Sequence, residues 1–201
     1  MTRVRQTANY TMQLFNLFKR KGLGLSMDSI AFELGITKKT LYNNFGSKED
    51  MYSAVATYFY DSLERKIKHE FETETRTLMQ MLLIAKIVSS EIKKLGEKFL
   101  ADISKIGGVF PLQNHTDRTS FYSVLIKQNL EKGMREGIYR GDINIEAVTL
   151  FYTSVVETFY KWDGEYRFLF EYEEYFYEHV KYHLYSITNL NGRQELEKLL
   201  L

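Results

Sequence analysis

The stretch SMDSIAFELGITKKTLYNNFGSKEDM, residues 26–51, carries the most specific pattern in the chain. Three of its residues are of the type that caps a helix by accepting a hydrogen bond from a first-turn amide, namely Ser26, Thr37 and Ser47. Gly35 and Gly46 stand where helical runs stop, because glycine adopts a left-handed backbone at little cost. This order predicts two short helices joined by a tight turn, with a third helix starting at Lys48.

Apolar residues recur at helical spacing in both short helices and give each of them an inner face. These residues are Ile30, Ala31 and Leu34 in the first helix and Leu41 and Phe45 in the second. In the second helix, Lys39, Thr40 and Asn43 point away from the inner face, and Lys38 and Tyr42 lie at its edge. A short cationic helix without acids, braced on an apolar base, has the shape and charge of an element that enters the DNA major groove.

A generic helical hairpin with a lysine-rich solvated face is the alternative to this interpretation, and two lysines alone would not decide between them. The charge distribution adds a second observation. Residues 1–55 carry eight Lys or Arg and four Asp or Glu, whereas the whole chain has a net charge of only +1. Phosphate contacts supply most of the non-specific affinity for DNA, so a basic head on a slightly acidic body favours the DNA-binding interpretation.

The same region resembles the signature of a known family. The matching pattern is Phe18-x-x-x-Gly22, Ser26-x-x-x-Ile30-Ala31 and Gly35-Ile36-Thr37-x-x-Thr40-Leu41-Tyr42-x-x-Phe45-x-x-Lys48-Glu49. It is similar to that of the tetracycline-repressor (TetR) family of one-component transcription regulators and covers roughly residues 10–55. The chain departs from it at Gln13 and Leu14, where the family often has small alanines, and at Asn44, where it often has His or Tyr.

The resemblance implies DNA contacts for particular residues by position. Those facing base edges are Lys38, Lys39, Thr40 and Asn43. Those at the phosphate backbone are Ser26, Thr37, Tyr42, Asn44 and Lys48. The side-chain chemistry agrees, because lysine donates to guanine O6 or N7 and asparagine pairs with adenine through two hydrogen bonds. The ring of Tyr42 is as well suited to capping the hydrophobic base as to a phosphate contact.

The rest of the chain has helical spacing, which predicts an all-α fold. We expect a helix-turn-helix DNA-binding domain over residues 1–50 and a helical effector-binding and dimerisation domain over residues 51–201. The predicted body helices are Lys48 to about Phe71, Thr75–Leu95, Glu97–Ile106, Asp117–Glu136, a helix capped by Asn144 or Asp142 and ending near Trp162, and Glu171–Leu190. A loop over residues 107–116 contains the only proline. Residues 193–201 form a last short helix or fray.

By resemblance, the last two long helices of two subunits pack into a four-helix bundle and make the protein a homodimer. The corresponding segments are residues 145–162 and 172–190. The expected interface residues are Phe151, Val155, Phe159, Phe176, Val180 and Leu184. Aromatic side chains are enriched at such interfaces because they bury large areas. Ordinary core packing within one subunit is the alternative for each of them.

The resemblance also implies a small-molecule effector that binds between the body helices and releases the protein from its operator DNA. The sequence assigns no pocket residue. Several aromatics fit an apolar cavity wall or, equally well, a filled core, namely Phe110, Phe121, Tyr122, Tyr152 and Tyr160. This composition indicates an apolar or aromatic effector, and we expect no bound cofactor.

Signals for an enzyme or a metalloprotein are weak. The chain has no cysteine, which excludes thiol catalysis, disulfides and cysteine-based zinc sites. His179 and His183 have metal-ligand spacing, yet no third ligand is evident, and a solvated or interfacial pair is the favoured interpretation. Ser90-x-x-Lys93 lacks the companion motifs of serine–lysine catalysis. We therefore predict no catalytic and no metal-binding residue.

The N-terminus lacks the apolar core of a signal peptide, and no run approaches about eighteen apolar residues, so we expect a cytoplasmic protein without a membrane partner. Two functions remain. The first is a dimeric, ligand-responsive regulator of transcription, by resemblance most often a repressor, acting on a palindromic operator. The second is a helical ligand- or partner-binding protein whose DNA-binding head is vestigial.

Overall fold

A computed structural model describes residues 3–96, 98–99, 102, 115–160 and 172–200, and most of these residues are helical. The helices are α1 (Arg3–Lys21), α2 (Met27–Glu33), α3 (Lys38–Phe45), α4 (Lys48–Thr73), α5 (Thr77–Lys93), α6 (His115–Arg135), α7 (Ile145–Tyr160), α8 (Tyr172–Ile187) and α9 (Leu190–Leu200). Within the described ranges, β-structure amounts to one isolated antiparallel bridge, and no helix there is long and apolar enough to span a membrane. The predicted all-α fold is confirmed.

The described helices begin and end close to where the apolar spacing placed them, and caps account for the details. Asn144, rather than Asp142, caps α7, because its Oδ1 accepts a hydrogen bond from the backbone N–H of Ala147 at 3.0 Å. The predicted helix at 97–106 and the predicted loop at 107–116 lie almost entirely outside the described residues.

The junction of α8 and α9 differs most from the prediction, which continued α8 to Leu190. The observed α8 ends at Ile187, and α9 begins at Leu190. Asn189 separates the two helices, because its Oδ1 accepts a hydrogen bond from the backbone N–H of Gly192 at 3.0 Å and so caps α9. A Cβ atom at position 192 would overlap the backbone of Ile138, so this close approach requires glycine.

The chain divides into two compact units. The first comprises the described residues of Met1–Leu63 and Lys93–Gln113, and the second those of Glu64–Ile92 and Asn114–Leu201. The N-terminal part of α4 therefore belongs to the first unit and its C-terminal part to the second. Each unit has its own buried core.

The core of the first unit contains residues of α1, of the turn after it, and of α2, α3 and α4. Its fully buried side chains include Leu14, Phe18, Leu23, Ile30, Leu41 and Met51. An aromatic cluster surrounds Phe15, whose ring centroid lies 5.5 Å from that of Tyr58 and 6.3 Å from that of Phe99. Because close-packed side chains resist small displacements, this core fixes the orientation of α3 within the unit.

The core of the second unit combines apolar residues from α5 to α9 with a buried polar network. The apolar members include Leu78, Met81, Ile126, Leu130, Tyr152, Val180, Leu184 and Leu196. In the network, Asn129 Nδ2 donates to Thr77 O at 2.9 Å and to Gln80 Oε1 at 3.0 Å, and Asn129 Oδ1 accepts from Tyr139 Oη at 2.8 Å. Buried polar groups stabilise a fold only when they are bonded in this way, so the network joins α5 and α6 in one arrangement.

Candidate DNA-binding site

The α2–α3 pair forms as the sequence predicts, because caps and a glycine set the helix ends. Ser26 Oγ accepts a hydrogen bond from the backbone N–H of Ser29, and Thr37 Oγ1 accepts one from that of Thr40, each at 3.1 Å. Gly35 lies between the helices with a φ of 65°, in the left-handed region that favours glycine. The caps satisfy first-turn amides of both helices and so hold the turn tight.

The two sides of α3 differ sharply in exposure. On the inner side, Leu41 is 0% and Phe45 is 6% exposed. On the outer side, Lys39 and Asn43 are exposed, and Tyr42 is 44% exposed. No part of the described chain covers this outer side, so it is open to a partner while its base is fixed.

Two of the predicted DNA contacts, Thr40 and Asn44, are half-buried and bonded within the protein. Thr40 Oγ1 lies 2.9 Å from Thr37 Oγ1. Asn44 Oδ1 accepts a hydrogen bond from Thr7 Oγ1 at 2.9 Å, and Asn44 Nδ2 donates to Thr40 O at 2.8 Å. Asn44 therefore ties α3 to α1, a packing role that competes with the expected phosphate contact.

Lys38 forms an ion pair with Asp28, a contact that the sequence pattern did not predict. Its Nζ lies 2.9 Å from Oδ2 of Asp28 in α2, and both side chains are exposed. The hydrogen bond to Asp28, assisted by its negative charge, raises the pKa of Lys38 above its usual value. Side-chain spacing within one helix could not have revealed this pair, because the two residues stand on different helices.

The start of α4 adds a further cation beside α3. Ser47 Oγ accepts a hydrogen bond from the backbone N–H of Asp50, and Asp50 Oδ2 accepts one from that of Ser47, each at 3.0 Å, which forms a capping box. Lys48 follows the cap, with its Nζ 5.7 Å from the ring centroid of Tyr52. A cation beside a helix N-terminus is well placed to attract phosphate.

The structure corrects part of the expected dimer interface. Val180 is 6% and Leu184 is 0% exposed within a single chain, and both belong to the core of the second unit. A side chain that is already buried has almost no area left to bury against a partner, so core packing accounts for these two residues. Phe151 is 45% exposed on α7. The structure does not describe the side chains of the other three expected interface residues, Val155, Phe159 and Phe176.

Three further apolar side chains on α7 and α8 are exposed, although they are not among the expected interface residues. They are Leu150 at 68%, Tyr177 at 39% and Tyr182 at 66% exposure. The sequence from residue 172 to 187 is aromatic on nearly every side, so periodicity could not distinguish its buried face from its exposed face.

The aromatics considered as pocket walls have different surroundings. Tyr152 lies in the core of the second unit, where burial raises its pKa well above the usual value. Phe121 and Tyr122 are half-buried and pack edge to face, with centroids 5.3 Å apart. The Phe110 residue and the side chain of Tyr160 lie outside the description. For Tyr152, a filled core is therefore the better interpretation.

His179 and His183 pack against α7. Both rings stack on Phe151, at centroid distances of 5.1 and 4.8 Å, and His183 also meets Tyr152 edge-on at 4.4 Å. Burial lowers the pKa of both imidazoles, and the neighbouring His179 helps to bring the pKa of His183 to about 4. Among the residues that the structure describes, no group of three His, Cys, Asp or Glu could hold a metal ion.

Comparison with known proteins places the head of the chain in a family. Residues 14–55 match the model of the bacterial regulatory proteins of the tetR family. An uncharacterized HTH-type transcriptional regulator of Bacillus subtilis (strain 168), YvaF, is 28% identical over 87 residues, which are 42% of this chain and 46% of that protein. The alignment thus spans less than half of the relative's length.

Solved structures share the fold over most of the chain. A transcriptional regulator from Cytophaga hutchinsonii ATCC 33406 has a TM-score of 0.71 at 14% identity, covering 92% of this chain and 98% of its own. AibR, solved in complex with isovaleryl coenzyme A and operator DNA, has a TM-score of 0.57 at 17% identity, covering 90% and 97%. The match of the head to the family model and the shared fold together describe a helix-turn-helix protein with a helical body. The family match lies in the head, residues 14–55, and the solved structures show that the rest of the chain shares the fold of such regulators.

Proposed function

We propose that the protein is a sequence-specific DNA-binding regulator of transcription and that α3 enters the major groove of its operator. The observation that carries the proposal is the open, cationic outer side of α3 on a buried inner side. A helix held in this way can enter the groove without rearrangement of its base. The match of residues 14–55 to the tetR family model supports the proposal, as does the shared fold with AibR, whose structure includes operator DNA.

The exposed side chains of α3 have the chemistry for direct readout. Lys39 can donate to guanine, and Asn43 can form two hydrogen bonds with adenine. Thr40 and Lys38 flank them, with Lys38 available once DNA competes with Asp28. The proposed backbone contacts come from Ser26, Thr37, Tyr42 and Lys48. In this arrangement, Asn44 holds α3 on α1 rather than binding a phosphate.

The second part of the proposal is a homodimer that binds a palindromic operator. A two-fold axis would place the two copies of α3 in successive major grooves, about 34–36 Å apart. The exposed apolar side chains of α7 and α8 support a partner-binding face on these helices, because exposed apolar area marks interaction surfaces.

The third part is release from DNA by a small molecule, which would make the effector-free protein a repressor. We assign effector binding to the helical body, residues 51–201, and the half-buried Phe121 and Tyr122 favour an apolar or aromatic effector. To change the ratio of DNA-binding to non-binding molecules from 99:1 to 1:99, the effector must bind the non-binding state about 10⁴-fold more tightly than the DNA-binding state. The AibR complex with isovaleryl coenzyme A shows a ligand in a protein of this fold.

Fluorescence anisotropy with duplex DNA from beside the protein's own gene tests the proposal. Lys39→Ala and Asn43→Ala should each weaken binding by about 1–3 kcal/mol and relax specificity at one base pair, whereas Lys48→Ala should weaken binding to all sequences similarly. Lys198→Ala removes the same charge from an exposed position in α9 and is the control. If all variants bind as the wild type does, a helical ligand- or partner-binding protein with a vestigial head becomes the better description.

A further inference from the structure

Leu23, in the turn between α1 and α2, has both main-chain polar groups bound by side chains from other parts of the first unit. Its carbonyl oxygen accepts a hydrogen bond from Tyr52 Oη at 2.7 Å, and its N–H donates to Asp102 Oδ2 at 2.8 Å. The Leu23 side chain is itself 0% exposed. The turn is therefore held through its backbone and its side chain at once.

Asp102 and Lys98 lie directly against this turn. Gly22 has a φ of 81°, and a Cβ atom added to it would overlap the Asp102 carboxylate and the Lys98 side chain. Phe99 is 1% exposed and packs edge to face on Phe15 of α1, with centroids 6.3 Å apart. The left-handed backbone favours glycine at position 22, and Phe99 completes the core of the first unit.

We propose that Asp102 is a positioning residue of the DNA-binding head. Its carboxylate fixes the α1–α2 turn and thereby the position in which α2 and α3 are presented to DNA. Asp102 stands far outside residues 14–55, the part that matches the family model, so the functional head is built from two separate stretches of the chain. The inference rests on the function proposed above.

The local sequence explains why the turn needs an outside acceptor. Leu23 lies between Gly22 and Gly24, and glycines lose more conformational entropy on ordering than other residues. A hydrogen bond from a backbone N–H to a carboxylate is about twice as strong as one between neutral groups. Without that bond the turn samples more conformations. The free energy needed to order it then reduces the free energy gained on binding DNA.

Amide hydrogen exchange of the full-length protein tests the bond itself. Asp102→Ala should accelerate exchange of the Leu23 amide about tenfold, whereas Asp102→Asn, which keeps a neutral and weaker acceptor oxygen, should lie between Asp102→Ala and the wild type. Asp142→Ala removes an exposed carboxylate from the turn before α7 and is the matched control. Unchanged exchange at Leu23 in Asp102→Ala overturns the proposal.

Affinity for DNA from beside the protein's own gene tests the consequence. Asp102→Ala should lower this affinity about tenfold, and Asp102→Asn, with its weaker acceptor, should restore part of it. Both variants lose the same negative charge, and that loss alone favours DNA binding, so only the bond explains a difference of this sign. Tyr52→Phe removes the other hydrogen bond to Leu23 and should also weaken binding, which keeps the test decisive if Asp102→Ala does not fold.

Two results contradict the positioning role while leaving the proposed function intact. One is wild-type DNA affinity in Asp102→Ala or Tyr52→Phe, and the other is an equal loss in Asp102→Ala and Asp102→Asn. Failure of the wild-type protein to bind any DNA refutes the proposed function instead, and the positioning role with it.

Discussion

Three lysines at the proposed DNA-binding surface differ in what their charges contact. Lys39 is exposed, Lys38 lies 2.9 Å from Asp28, and Lys48 lies 5.7 Å from the ring of Tyr52. In the proposed complex, DNA would compete with Asp28 for Lys38, and the Asp28 carboxylate would repel the phosphates. We therefore expect Asp28 to reduce the attraction of this surface for DNA.

Replacing Asp28 by asparagine should strengthen binding to DNA, because it frees Lys38 and removes a nearby negative charge. Exposed ion pairs are weak, so we expect a gain of about twofold to tenfold, largest at low salt. Anisotropy titrations of Asp28→Asn at two salt concentrations measure it. Combining Asp28→Asn with Lys38→Ala should cancel most of the gain. A gain from Asp28→Asn that is as large in the Lys38→Ala background as in the wild type would show that Lys38 does not take part.

Among the helices, α2 and α3 could be predicted because their ends are set by neighbours in the sequence. Ser26 and Thr37 bond to amides three residues away, and Gly35 supplies the one left-handed residue that the turn requires. The regular apolar spacing then selects the buried face, with Leu41 and Phe45 inside.

Contacts between residues far apart in the sequence could not be predicted in this way. The Thr7–Asn44 bond spans 37 residues and the Leu23–Asp102 bond spans 79, and no local pattern encodes either. In α8 the difficulty lies in composition, because tyrosine and phenylalanine suit a core and a surface interface equally well. Burial within one chain places Leu184 in the core and leaves Tyr182 exposed.

The contact between α7 and α8 should make stability depend on pH through His183, whose pKa is lowered to about 4. An unfolded histidine has a pKa of about 6.5, so the unfolded chain takes up the proton first as the pH falls. This contribution to stability is therefore complete above about pH 6.5 and is lost progressively between about pH 6.5 and pH 4.

Thermal melts across that range should show a fall of several degrees in Tm for the wild type. His183→Phe keeps an aromatic ring against Phe151 without a titratable group, and it should make the dependence shallower, with the contribution of His179 remaining. His69→Gln removes an exposed histidine of α4 and is the control. An equally steep fall in His183→Phe would show that His183 does not cause the pH dependence.

For the whole molecule, the proposed two-fold symmetry is the feature on which operator recognition would depend. One copy of α3 spans only part of a helical turn of DNA, whereas two copies read both halves of a palindrome. The exposed Leu150 and Phe151 of α7 and the exposed Tyr177 and Tyr182 of α8 supply apolar area for such an interface.

Introducing a charge on this face should separate the subunits, because a carboxylate loses its hydration when it is buried against apolar groups. We expect Leu150→Glu to shift the protein from dimer to monomer in sedimentation experiments and to weaken operator binding. Leu190→Glu places the same charge at an exposed leucine at the start of α9 and is the control. An unchanged dimer in Leu150→Glu would place the interface elsewhere.

Selection of binding sites from random duplex DNA tests the central claim, that the outer side of α3 reads sequence, most directly. The wild-type protein should select a palindrome whose half-sites are centred about one helical turn apart. Asn43→Ala should select the same palindrome with the preference lost at one position in each half-site. Random sequences recovered with the wild type, or an identical palindrome recovered with Asn43→Ala and with Lys39→Ala, would contradict the account.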